Sequence, residues 1–200
     1  MAGGVYHERQ VGSLCAVHAA NNLVGKKTFS KEDFCRIHKQ LHSDLPEDNR
    51  RTRLQSFCKI ISKKVCCYCS SNEVEGNFDA NVLMVALQDQ RIHLQFWDQR
   101  NHDVDTLIEA VRSDMSLGCI INSSGNRVMQ RMFSACFSAF FRPNGHWITI
   151  KKGGENGSFL NMDSNLKAPR EIDLRKFLIM HMNARAHILV ASKAQLFSTA

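Results

Sequence analysis

The sequence predicts an α+β fold in which a buried helix packs on an antiparallel sheet. Two observations carry that expectation. Segments with helical periodicity come mainly first, and segments that alternate in polarity mostly later. The strands expected near 146 and 159 are joined by the short turn Gly153-Gly154-Glu155-Asn156-Gly157, which makes them an antiparallel hairpin.

The elements follow in order. Residues 13–24 read as a short helix with Ser13 as N-cap and Gly25 as its stop. It is apolar nearly all round, so it belongs in the interior. Ser30 and Asp33 form a variant capping box ahead of Phe34, Ile37, His38 and Leu41 at helical spacing. Pro46 breaks that helix, and another begins near Asp48 with Leu54, Phe57, Ile60 and Ile61 on one face. The two form a helical hairpin. Residues 62–76 are irregular. A helix from Asp79 to about Asp89 packs Val82, Leu83, Ala86 and Leu87. Ile92, Leu94 and Phe96 alternate with His93, Gln95 and Trp97 as a strand. Asp103 caps a helix through Leu107, Ile108 and Val111. Short strands follow at Cys119–Asn122, His146–Ile150 and Phe159–Met162. A helix over about 171–182 turns Leu174, Phe177 and Leu178 inward, and residues 186–191 form the last strand.

Composition narrows the function classes. The chain has 200 residues, 44% of them apolar, enough for a sizeable core. The net charge is +7, but the basic residues are scattered, with the densest runs at Asn49–Arg53 and Ser62–Lys64. This pattern reads as a solvated basic face, and no nucleic-acid partner is expected. No apolar stretch is long enough to span a membrane. Residues 1–12 are polar and carry no apolar run of signal length, and eight cysteines are present. Together these point to a reducing compartment, cytoplasmic or nuclear.

Four residues suggest chemistry. Cys15 opens the buried helix, where unpaired N–H groups and the positive end of the helix dipole favour a thiolate. His146 opens a strand and can serve as its base, in the order Cys early and His late. Asp163 follows the paired strand, in place to orient the imidazole. Gln10, just upstream of Cys15, can supply an amide donor to an oxyanion beside the Cys15 N–H. His18 shares a helix face with Cys15 and reads as structural, not as a rival base.

These residues lie in motifs that resemble the Josephin family. Tyr6-His7-Glu8-Arg9-Gln10, Leu14-Cys15-Ala16-Val17-His18-Ala19 and Asn21-Asn22-Leu23 look like the family's opening. Gly76-Asn77-Phe78-Asp79-Ala80-Asn81-Val82-Leu83-Met84 resembles its middle motif, followed by Trp97-Asp98-Gln99-Arg100. His146-Trp147 and Asn161-Met162-Asp163-Ser164-Asn165-Leu166 resemble its late catalytic strands. The similarity runs from Tyr6 to about Ala191 and is greatest to the small Josephin proteins. It implies one catalytic domain over residues 1–200 with a core of about 6–191 and a papain-like cysteine-protease fold. It also implies hydrolysis of isopeptide bonds after the last glycine of ubiquitin through a Cys15 thioester. The roles implied are Cys15 as nucleophile, His146 as base, Asp163 as orienter and Gln10 in the oxyanion hole. Thr28, Phe29, Ala80, Asn81 and Trp147 are implied as contacts to ubiquitin or polyubiquitin conjugates, with no cofactor.

Two stretches depart from the family pattern. Cys66, Cys67 and Cys69, with Cys58 nearby, match no known zinc knuckle, so no metal is expected. Within 122–145, Met132-Phe133, Cys136-Phe137 and Phe140-Phe141 recur at helical spacing, as core or as an apolar flap beside His146. The rival function is a weakly active or inactive ubiquitin-binding adaptor.

Overall fold

A computed structural model describes residues 4–43, 78–100, 102–123, 145–153 and 157–194. The second helix of the predicted hairpin, the cysteines at 58, 66, 67 and 69, and the apolar run at 132–141 lie outside these residues.

Five described helices and six strands follow the order α1 (Cys15–Val24), α2 (Lys31–Ser43), α3 (Ala80–Gln88), β1 (Ile92–Phe96), α4 (Val104–Arg112), β2 (Ser116–Ser123), β3 (His146–Lys152), β4 (Phe159–Asn161), β5 (Arg170–Ile172), α5 (Leu174–Asn183) and β6 (His187–Lys193). The strands form one sheet in the order β1-β6-β2-β3-β4-β5, with every neighbouring pair antiparallel. The α+β class and the hairpin of β3 with β4 stand as the sequence predicts.

Helices cover both faces of this sheet. On one face Leu94, Ile120, Trp147 and Leu189 pack against α1, α2 and α3. On the other, Cys119, Ile121, Ile148, Ile150 and Ile188 pack against α4 and α5. Alternation along β2 and β3 feeds the two cores in turn, as a pleat requires. Ala16, Ala19 and Ala20 of α1 are at most 2% exposed, and such small side chains let the helix lie close to β3. The fully buried Thr149 hydroxyl donates to the Ala19 carbonyl at 2.7 Å, which satisfies a polar group inside the core. Gly25 ends α1 at φ 85° and returns its N–H to the Asn21 carbonyl at 2.8 Å. A Cβ there would lie 2.6 Å from the Lys151 ammonium, so the glycine also makes room for β3.

Several local expectations are corrected. Helix α1 begins at Cys15 with Leu14 at the N-cap, and no side chain caps it. Ser13 therefore does not cap the helix as predicted. Phe96 ends the edge strand β1 and is 48% exposed, with the His187 ring edge-on at 6.5 Å. Strand β2 is longer than Cys119–Asn122 and begins at Ser116 with an irregular register. The helix expected from 171 starts at Leu174, since Arg170–Ile172 pair with β4 as a strand. That strand shows no alternation of polarity; backbone pairing alone makes it. The Ser30/Asp33 capping box and the Asp103 cap form as predicted, and Asp79, where the helix was expected to begin, caps α3.

Candidate active site

Helix α1 and the β3–β4 hairpin bring Cys15, His146 and Asp163 together. Cys15 is the first residue of α1 and 7% exposed, and His146 is the first residue of β3. Asp163 follows β4, where an Asx-type turn holds it: its N–H donates to Asn161 Oδ1 at 2.9 Å. His146 Nε2 meets Asp163 Oδ1 at 2.6 Å. This occupies Nε2 and leaves Nδ1 as the ring nitrogen available to Cys15, with which the imidazole is hydrogen-bonded.

The electrostatics favour an ion pair. Burial pushes the Cys15 thiol up, but hydrogen bonds from His146 and from the Trp147 and Ala16 N–H groups, together with the charge on His146, hold it below its ordinary value. Burial pulls His146 down, but the Asp163 carboxylate and the Cys15 sulfur raise it to about 9. Burial pushes Asp163 up, and it is held below its ordinary range by His146 and by the Asn165 N–H, which donates to Oδ1 at 2.8 Å. The three shifts act in one direction: each favours the charged form of its group, thiolate, imidazolium and carboxylate. Cys119 offers the contrast: fully buried with no such partners, its thiol is pushed up to about 12.

Gln10 is anchored beside this trio. Its N–H donates to the Ser164 carbonyl at 2.7 Å, and its Oε1 accepts from the Ser164 hydroxyl at 3.2 Å. Its Nε2 donates to the Gly12 carbonyl at 2.9 Å, which leaves a second amide hydrogen on the same nitrogen.

The residues expected to contact a partner divide into two groups. Thr28 and Ala80 are half-buried, and Asn81 is exposed at the start of α3. Phe29 is 7% exposed and edge-on to Phe34, with ring centroids 5.8 Å apart. Trp147 is 5% exposed and donates its indole N–H to the Phe78 carbonyl at 3.0 Å. Both rings therefore pack within the core, with only a small part of each exposed.

Sequence reasoning missed two groups. Asn165 places its amide 2.9 Å from His146 Nε2, beside the Asp163 carboxylate. The other is a polar network between α1 and residues 6–11. Glu8 accepts from the Tyr6 hydroxyl, from Asn21 Nδ2 at 3.1 Å, and from His18 Nδ1 at 2.7 Å. Asn22 Oδ1 accepts from the Glu8 N–H at 2.6 Å, and its Nδ2 donates to the Met162 carbonyl at 2.9 Å. The signal was Asn21-Asn22 in an otherwise apolar helix, since buried amides require partners. His18 is confirmed as structural, with Glu8 on one ring nitrogen and the Val11 N–H on the other.

Known proteins share this arrangement of sequence. A model of the Josephin family matches residues 10–192. Josephin-2 of Homo sapiens is 30% identical over 84% of this chain and 72% of its own length. A Josephin-like protein of Drosophila melanogaster is 26% identical over 85% of this chain and 63% of its own length, and one of Arabidopsis thaliana is 27% identical over 90% and 45%. The match over nearly the whole described fold, from the Gln10 segment to β6, means that this chain belongs to the Josephin family.

Proposed function

We propose that this protein is a cysteine-type deubiquitinase that hydrolyses the isopeptide bond after the C-terminal glycine of ubiquitin. The observation that carries the reading is the Cys15–His146–Asp163 series, with the thiol lowered and the imidazole raised to about 9. A nucleophile poised as thiolate beside its proton donor suits acyl transfer from a lysine amide.

In the proposed cycle the Cys15 sulfur adds to the glycine carbonyl. The Cys15 N–H and the remaining Gln10 amide hydrogen receive the oxyanion, a contribution typically worth about 3–4 kcal/mol per donor. His146 gives its proton to the leaving lysine amine as the C–N bond breaks, and the thioester remains. His146, now neutral, takes a proton from water, whose oxygen attacks the thioester and releases the ubiquitin carboxylate and the thiolate. Thr28, Ala80 and Asn81 are the accessible candidates for ubiquitin contact. The chemistry requires a reduced thiol, in keeping with cytosol or nucleus, and among the described residues Cys15 and Cys119 are in no disulfide.

The test is a ubiquitin carrying a thiol-reactive group at its C-terminus, incubated with the protein under reducing conditions. A covalent adduct that needs Cys15 and slows in His146→Ala is expected. A folded wild-type protein that binds ubiquitin and forms no adduct would replace this reading with that of a ubiquitin-binding adaptor.

A further inference from the structure

We infer that Glu8 and His18 are positioning residues that lock the Gln10 segment onto α1 and so keep the two donors of the oxyanion site in register. This rests on the cysteine-hydrolase reading, in which Gln10 and the Cys15 N–H act together on one oxygen. The two donors belong to different pieces of chain. One is the helix N-terminus and the other a segment with no secondary structure of its own.

The lock consists of side chains from the helix that carries Cys15. His18 Nε2 accepts the Val11 N–H at 3.2 Å, immediately after Gln10. His18 Nδ1 donates to Glu8 Oε2 at 2.7 Å, two residues before it. That pairing fixes the tautomer: Nδ1 carries the proton, so Nε2 is free to accept. Asn21 donates to both Glu8 oxygens, and Asn22 clasps the Glu8 backbone through its N–H at 2.6 Å and its carbonyl at 3.3 Å. Gln10 is thus flanked on both sides by groups bonded to α1, while its own N–H reaches the Ser164 carbonyl next to Asp163.

The arrangement is more than generic packing. The Glu8 carboxylate is pushed up by burial and brought below its ordinary range by Tyr6, His18 and Asn21, so it is held as the charged acceptor. The side-chain exposures of His18 and Glu8 are 12% and 15%, so water competes weakly for the pair. Without His18, the Val11 N–H loses its acceptor and Glu8 one of its donors. The segment then pivots about the Ser164 contact, and Gln10 shifts relative to Cys15. A displacement on the order of 1 Å at a catalytic group can lower the rate by about 100-fold.

The experiment measures kcat, KM and Cys15 alkylation by a small haloacetamide in wild type, His18→Ala, Glu8→Gln, Gln10→Ala and the His18→Ala/Gln10→Ala double variant. Turnover is read with a fluorogenic ubiquitin C-terminal amide. His18→Ala is expected to lower kcat by about 10- to 100-fold with KM and alkylation rate little changed. Glu8→Gln, which can still accept from Nδ1, retains more activity than His18→Ala. In the Gln10→Ala background the His18 effect should vanish, because the donor it positions is already gone. A loss that persists in full in that background, or one matched by slower alkylation, would overturn the inference. Wild-type protein without turnover would count against the hydrolase reading alone. Hydrogen exchange then decides: the Val11 amide is expected to be protected in wild type and released in His18→Ala while α1 amides hold. Unchanged Val11 protection would refute the lock.

Discussion

Replacing Asp163 with Asn tests the charge relation at the centre of the site. The amide is nearly isosteric and its oxygen can still accept the His146 Nε2–H, so orientation is retained while the negative charge is removed. His146 is raised from 6.5 to about 9 although burial alone would lower it, and Asp163 is the first of the partners that raise it. That rise corresponds to about 3 kcal/mol at 1.36 kcal/mol per unit. Cys15 supplies part of it, and side-chain exposures of 23% for His146 and 16% for Asp163 admit some solvent screening. Asp163 is then left with about 1–2 kcal/mol, or about one unit in the basic limb of the pH profile. The assay is kcat/KM against pH for a fluorogenic ubiquitin C-terminal amide. Wild type is expected to lose activity as pH rises through about 9, and Asp163→Asn about a unit lower, with roughly tenfold less activity near neutrality. Folding stability should follow the same sign. A folded-state value raised above the unfolded one stabilises fully below 6.5 and is lost as pH rises through about 9. The stability gap between wild type and Asp163→Asn should therefore close on the alkaline side. An unmoved basic limb would show that the carboxylate does not hold the imidazolium, and the charge argument would fall.

Three further outcomes are expected. Asn165→Ala alone should lower kcat/KM by less than about tenfold, but its effect should grow in an Asp163→Ala background, where Asn165 is the remaining group on Nε2; a double-mutant cycle measures this coupling. Gly118→Ala should destabilise by more than about 3 kcal/mol in urea unfolding, because Gly118 sits at φ 133° and a Cβ would lie 2.0 Å from the Ile150 carbonyl oxygen. Asp103→Ala should lower the urea midpoint through loss of the Thr106 N–H cap at 2.9 Å, while Cys15 alkylation stays at the wild-type rate.

How much was legible in the sequence depended on which force made each feature. Elements set by apolar periodicity or by a capping carboxylate could be read directly: α3 behind Asp79, α4 behind Asp103, and the core strands Ile120–Ile121 and Ile148–Ile150. The chain of contacts from Cys15 to His146 to Asp163 could be anticipated because hairpin geometry places Asp163 beside His146, and because the motifs pointed the same way. Features set by pairing across the fold were hidden. Strand β5 is two exposed charged residues and a half-buried isoleucine, and only its ladder with β4 identifies it. Asn165 reads as a turn residue until the turn is closed and its amide meets the imidazole. The burial of Phe29 and Trp147 could not be separated from partner contact, since an aromatic suits either role until its neighbours are known.

The caps show where the fold favours chemistry over local stability. Helices α3, α4 and α5 each begin behind an aspartate whose side chain accepts from the first turn, and α2 has the reciprocal Ser30/Asp33 box. Helix α1 alone among the described helices has an apolar N-cap, Leu14, with no side-chain bond. A cap there typically contributes about 1 kcal/mol. It would also occupy the N–H groups that this end of the helix presents. One of them, from Ala16, already helps to hold the Cys15 thiol below its ordinary value, and in the proposed cycle the Cys15 N–H receives the oxyanion. An aspartate at position 14 would add a negative charge beside a thiolate, opposing its ionisation. Leu14 instead packs on the first core, anchoring the helix end by burial while its donors face the reacting groups. The stability given up at the N-terminus is recovered farther along α1, where Ala16, Ala20, Leu23 and the bonded Asn22 are buried almost completely.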